Sequence, residues 1–298
     1  MSEVKEVLEL SHAVRRAWIR STRFKVGAAL SSFVLLLAIL GPLVAPYPSE
    51  GMGAVPPTAA ERTGRPPSFE FPMGTDNLGR DVLSRVLMGA RLALIQITAV
   101  VAASLAIGLV VGVLAAYYRG PIEVALNYLT EVFLALPAIV MALALRLALG
   151  QGFHTLLFSL ILSWWPWYAR ASFVYARSVV EMDYVLLARL AGVPDRVVLL
   201  RHVLWNILQP VLVQAITDLG SVLLEASAIN FLGLGLKPDE PDWGIIAQNG
   251  FKYITSMPWI SLFPGLFILL TALGFSLLGD ALREELDPRL RRRWKLWF

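Results

Sequence analysis

Three stretches of this chain carry no charged side chain for as long as a lipid bilayer is deep: residues 26–45, 92–118 and 254–279. A helix rises about 1.5 Å per residue and the hydrocarbon core is about 30 Å thick, so about 20 consecutive apolar residues cross it. Inside lipid a lone segment satisfies its own backbone polar groups only as a helix. Charged residues make up 16% of the chain, whereas a soluble domain spreads about 25% over its length. The fold expected is therefore all-α and membrane-embedded.

Further spans are less uniform. Between Glu131 and Arg170 the only formal charge is Arg146, a stretch too long for one helix, and Gly150-Gln151-Gly152 offers a turn that makes it two spans in hairpin. The second of these reads as short before Trp164-Trp165-Pro166-Trp167-Tyr168, a cluster suited to the headgroup belt, with Pro166 either ending the helix or only kinking it. A fifth run, 207–236, contains Asp218 and Glu225. The total is about six transmembrane helices, and the run at 26–45 reads as an uncleaved first span rather than a signal peptide, being longer than an h-region and preceded by three glutamates.

Six spans place both termini on one side. Eighteen of the 26 lysines and arginines then fall on that side, which the positive-inside rule makes cytoplasmic. The organisation expected is a cytoplasmic N-terminal segment (1–25), a transmembrane domain (26–280) and a basic cytoplasmic tail (281–298). Within that domain lie an outer linker and amphipathic helix (46–91) and a cytoplasmic loop (170–206). The net charge of +4 belongs to these flanks and not to a nucleic-acid surface.

Several chemistries are excluded or disfavoured. Without cysteine there is no disulfide, thiolate catalysis or cysteine-ligated metal, and His12, His154 and His202 stand apart without carboxylates at ligand spacing. No G-x-x-x-x-G-K-[ST] phosphate loop occurs, so the chain should not hydrolyse ATP alone. No nucleophile–base constellation indicates a membrane hydrolase.

The outer segment begins rich in proline and glycine and then runs Gly74-Thr75-Asp76, with Asp76 a candidate helix cap. Leu78, Val82, Leu83, Val86 and Leu87 fall on one face and Arg80, Asp81, Ser84 and Arg85 on another, the pattern of an interfacial helix leading into span two. On the other side, the loop at 170–206 is too polar to span and too apolar for a disordered linker. Its centre, from Asp183 to Leu204, reads as two short helices broken at Gly192, with Pro194-Asp195 opening the second. Such a corner is a docking knob. Val193 and Val197 would form its apolar surface, with Arg189, Asp195 and Arg201 supplying polar contacts.

This loop resembles the EAA motif of bacterial and archaeal ABC importer permeases: Ala188, Gly192 and Pro210 match its second alanine, glycine and closing proline, while Leu186 and Leu187 depart from it. The string Met73-Gly74-Thr75-Asp76-Asn77-Leu78-Gly79-Arg80-Asp81 resembles the oligopeptide/dipeptide branch, as do 225–235, Pro241-Asp242-Trp243-Gly244 and 279–289. The resemblance implies a type I importer transmembrane domain of the second-permease kind, with the helix-turn-helix loop as its coupling element. Its partners would be a second permease subunit, two ATP-binding subunits and an extracytoplasmic substrate-binding protein. No cofactor is implied in this chain, since ATP and magnesium would belong to the ATP-binding subunits. Ala188, Arg189, Gly192, Val193, Asp195, Arg196, Arg201 and His202 would form the coupling surface. Gly74, Thr75, Asp76, Gly79, Arg80 and Asp81 would form the outer family motif. The substrate implied is a short peptide, with oligosaccharides, nickel or other small solutes as alternatives, in a prokaryotic cytoplasmic membrane.

Glu131, Asp218 and Glu225 are the pathway or gating candidates, because an ionisable group inside a span faces a cavity or a partner. The alternative for Glu131 and Glu225 is a place near span ends, reaching the interface, and Arg146 would snorkel. The same carboxylates would serve a proton-coupled carrier, but the paired halves with broken helices that mark one are missing from the sequence.

Overall fold

The computed structural model describes residues 17–19 and 21–286. The N-terminal and C-terminal basic clusters therefore lie mostly outside the described residues. Helices make up the described fold, and the one sheet-like contact among the described residues is an isolated bridge between Thr75 and Asp81. The principal helices are α1 (Thr22–Val44), α2 (Val82–Tyr117), α3 (Pro121–Leu134), α4 (Ala138–Leu149), α5 (Phe153–Val180), α6 (Asp183–Leu190), α7 (Asp195–Phe231), α8 (Trp243–Phe251) and α9 (Trp259–Leu286).

Four of these, α1, α2, α7 and α9, are long and apolar enough to cross a membrane, and α3 with α4 form a fifth candidate, bent by 86° at residues 135–137. The bend follows from Pro137, which disfavours helical geometry at Leu136. At 28 residues α5 is as long as α9. Arg170 and Arg177 dilute its second half, so it counts as the sixth crossing by length and packing.

The core runs where α2 packs along α5, α7 against α9, and α1 into the groove beside α9 and α2. Lipid tails are as apolar as leucine, so helices in a membrane associate through close backbone packing at small residues. Gly108 and Gly112 do this for α2: a Cβ on either would sit 2.4 Å from α5, against the Tyr168 Cβ or the Ala169 carbonyl oxygen. Away from this core the helices expose large side chains such as Ile39 and Leu43 of α1, as lipid-facing surfaces do.

Two expectations are corrected. The aromatic cluster does not end its helix in a headgroup belt: Pro166 is accommodated inside α5, which continues to Val180, and Trp165 and Tyr168 are buried. Close packing on the two α2 glycines explains why. The outer amphipathic segment is likewise no surface helix. Its helix starts at Val82, after the Asp81 cap, and is the first part of span two, and Arg80, Asp81, Ser84 and Arg85 are buried. Partners brought from distant loops turn that polar face inward.

Candidate functional site

Two built features occupy opposite ends of α2, which at 36 residues is about 54 Å long. At its start is a cap formed by residues 46–81 and the 236–258 segment. Asp76 organises the cap: its Oδ1 accepts from the backbone N–H groups of Leu78 (2.8 Å) and Arg80 (2.9 Å), and its Oδ2 accepts from Arg80 Nε at 2.7 Å. Arg80 also reaches Asp239 of the second segment at 3.6 Å. Asp81 caps α2, taking the Ser84 N–H at 2.8 Å and the Ser84 hydroxyl at 2.6 Å. Burial pushes the Asp81 carboxyl up.

Glu50 joins the layers of the cap by accepting from Asp81 N and from both terminal nitrogens of Arg62. The Arg62 guanidinium lies within cation–π distance of the rings of Tyr47 (4.7 Å) and Phe71 (4.6 Å), which stack on each other at 5.6 Å. Thr75 is wholly buried and binds the Arg62 carbonyl. Gly74 packs on the Trp259 indole, and Gly79 turns with φ +71° against Ala59. The six motif residues thus form one buried turn.

The second segment closes on the first. Trp243, fully buried, donates its indole N–H to the Val86 carbonyl at 2.9 Å. Asp242 caps α8 through the N–H groups of Gly244 (2.8 Å) and Ile245 (3.1 Å). Burial pushes its carboxyl up to about 6 even though these donors and the side chains of Asn230 and Gln96 pull it down.

At the other end lies the corner. α6 ends on Gly192, whose φ of +79° is favoured only without a side chain. Val193 N–H bonds the Ala188 carbonyl (3.1 Å) and Gly192 N–H the Arg189 carbonyl (3.0 Å), the nested pair that closes a helix on a left-handed glycine. Pro194 then opens α7, whose residues 198–204 are widened into a π-helical stretch. The corner is anchored from below by a cluster that joins Val185, Val198, Val203 and Ile207 to Val113, Ala116 and Tyr117 of α2. Asn206 Nδ2 bonds the His202 carbonyl at 2.5 Å and the Tyr184 hydroxyl at 3.1 Å, tying α6 to α7.

The coupling residues read from sequence divide unexpectedly. Arg196 and Arg201 are exposed, and His202 and Ala188 are half-buried. Arg189 and Asp195 are exposed too, and each also touches Tyr117: the guanidinium carbon lies 4.7 Å from its ring centre, and Asp195 Oδ1 accepts its hydroxyl. Of the apolar surface expected, Val193 packs into the anchoring cluster while Val197 stays outward, 40% exposed. Leu186, Leu187 and Leu190 of α6 also face outward, exposed by 44, 64 and 84%. Their spacing along one side of α6 is a helical signal that was present in the sequence.

The three carboxylates are not brought together. Glu131 sits on the surface of α3, paired with Arg170 at 3.0 Å. Asp218 is buried in α7, where it accepts from Gln214 at 2.8 Å and lies beside the Tyr168 hydroxyl. Glu225, farther along α7, accepts the Trp164 indole N–H at 2.5 Å. Trp164 and Tyr168 are one turn apart on α5, so α5 and α7 run antiparallel here with two carboxylates facing two amphipathic aromatics. Arg146 of α4 binds the Gly233 carbonyl instead of reaching for solvent.

A multi-pass helical domain without internal phosphate-binding sequence, carrying a folded cap at one end and an anchored corner with uncovered leucines at the other, is a membrane permease subunit. Residues 108–292 match the family described as binding-protein-dependent transport system inner membrane component, and the chain belongs to that family. It is 35% identical over 269 residues to the di/tripeptide transport system permease protein of Pseudomonas aeruginosa, covering 89% of this chain and 88% of that one. It is 33% identical over 266 residues to the dipeptide transport system permease protein of Alkalihalophilus pseudofirmus, covering 89 and 86%. The nickel transport system permease protein of Escherichia coli is 32% identical over 224 residues, covering 75 and 81%. Among solved structures, an amino acid ABC transporter crystallised with histidines shares the fold, with a TM-score of 0.50 at 14% identity over 70% of this chain and 94% of that one.

Proposed function

We propose that this chain is one of two permease subunits of an ATP-driven importer of short peptides. The corner seats on a cytoplasmic ATP-binding subunit, the cap faces an extracytoplasmic binding protein, and both termini are cytoplasmic. The observation that carries the reading is the corner itself. Three leucines are left uncovered on a helix that a buried cluster holds rigidly from behind, which is the arrangement of a preformed docking surface. ATP and its magnesium are bound and hydrolysed by the partner subunits. The permease contributes the path, and coupling requires the corner to bind its partner differently in the inward-facing and outward-facing states.

Peptide is the substrate favoured, because the di/tripeptide and dipeptide relatives match over nearly their whole length. Asp218 and Glu225 are the pathway candidates that remain, being inside α7 and held by uncharged donors, whereas Glu131 is matched by Arg170.

The test is purification of the tagged chain from native membranes, compared with Gly192→Pro, since proline cannot adopt a φ of +79°. P-loop ATPases that co-purify with the unaltered chain and are lost from the variant support the reading. An unaltered chain that purifies without any ATPase overturns it.

A further inference from the structure

The corner and the cap are joined by one helix. α1, α5, α7 and α9 each contain an internal proline, Pro42, Pro166, Pro210 and Pro264, where a helix loses a hydrogen bond and bends. α2 has none in 36 residues, which makes it the stiffest connection between the two ends. Its first turn is fixed in the cap by Asp81, Ser84 and Arg85, all buried. Its middle is clamped to α5 at Gly108 and Gly112. Its last residue is Tyr117, only 2% exposed, which makes polar and ring contacts with both arms of the corner. The hydroxyl donates to Asp195, the first residue of α7, and the ring lies beneath Arg189 in the last turn of α6. The break at Gly192 lies between those two contacts.

We infer that Tyr117 is the joint through which displacement of the corner is passed to α2 and, along its length, to the cap. Asp195 and Arg189, both exposed on their outer sides, serve as its sockets. A knob pulled by its partner moves the spans only if it does not swivel on them. The greasy cluster beneath the corner is non-directional, whereas a hydroxyl–carboxylate bond and a cation over a ring fix orientation. Tyr117 is therefore a positioning residue for coupling, and this role rests on the docking function proposed above for the corner.

The test uses the complete transporter, purified with its partners and reconstituted in proteoliposomes, and reads dipeptide transported per ATP hydrolysed. Tyr117→Phe removes only the hydroxyl, Asp195→Ala removes the acceptor, and Asp195→Asn keeps an oxygen at the same place. The ratio should fall about fivefold or more in Tyr117→Phe and in Asp195→Ala, with the ATP-binding subunits still attached. It should stay within about twofold of the unaltered complex in Asp195→Asn, and be no lower in the double variant than in either single one. An unaltered ratio in Tyr117→Phe, or losses that multiply in the double variant as they would if Asp195 touched the ATPase directly, overturns the joint. Should Tyr117→Phe not assemble, equal ratios in Asp195→Ala and Asp195→Asn overturn it. An unaltered chain that carries no ATPase would overturn the importer reading instead.

Discussion

The indole of Trp243 donates to the Val86 carbonyl across 2.9 Å, between residues far apart in the chain, and so fastens α8 to the first turns of α2. Gly89 makes room for it, as a Cβ there would lie 2.7 Å from the ring. Trp243→Ala should destabilise the protein by about 3–5 kcal/mol, the cost of emptying a large aromatic site. Thermal unfolding in detergent would show it. Gly89→Val, which pushes the ring out, should weaken the same seam.

Asp242 makes cap stability depend on pH. Its carboxyl titrates at about 6 in the fold against 3.8 ordinarily, so the folded state holds the proton more tightly than the unfolded one. The contribution of Asp242 to stability is largest below about pH 4, declines as pH rises towards about 6 and is level above, with a total change on the order of 2–3 kcal/mol. Asp242→Asn, which still accepts from Gly244 and Ile245, should flatten that slope. Melting temperatures between these pH limits check it, and an equal slope in the variant would contradict the assignment.

Arg80 and Asp76 are 2 and 3% exposed at the side chain and pair at 2.7 Å. Arg80→Met leaves the carboxylate buried without its cation, and the expected loss is about 3–5 kcal/mol. Asp76→Leu combined with Arg80→Met should cost less than the single change. Limited proteolysis of the 46–81 segment is the local readout, with cleavage fastest in the single variant.

Gly108→Leu or Gly112→Leu should separate α2 from α5 and lower the yield of monodisperse protein, at a cost of about 1–3 kcal/mol or more. A leucine at Gly265, where a Cβ meets nothing within 4 Å, is the control expected to behave normally. Size-exclusion profiles compare the three.

The spans were legible because uncharged runs of bilayer length have one solution in lipid. The break at Gly192 was legible because glycine followed by proline punctuates a helix. Burial of charge was not. Periodicity assigns Arg80 and Arg85 to a polar face, but Asp239 and the Glu240 carbonyl that receive them come from a segment distant in sequence. The same limit explains Trp165 and Tyr168, whose aromatic tips suit an interface until Gly108 and Gly112 bring α2 against them. At the corner, nothing local to the loop announces that Arg189 and Asp195 also touch Tyr117. The bend between α3 and α4 did have a local signal in Pro137.

The most direct test of the account is dipeptide uptake by the reconstituted complex with its binding protein outside and ATP inside. Accumulation that requires ATP and persists with a protonophore is the result predicted. Accumulation driven by an imposed pH gradient without ATP would contradict it and make Asp218 and Glu225 the centre of a proton-coupled carrier.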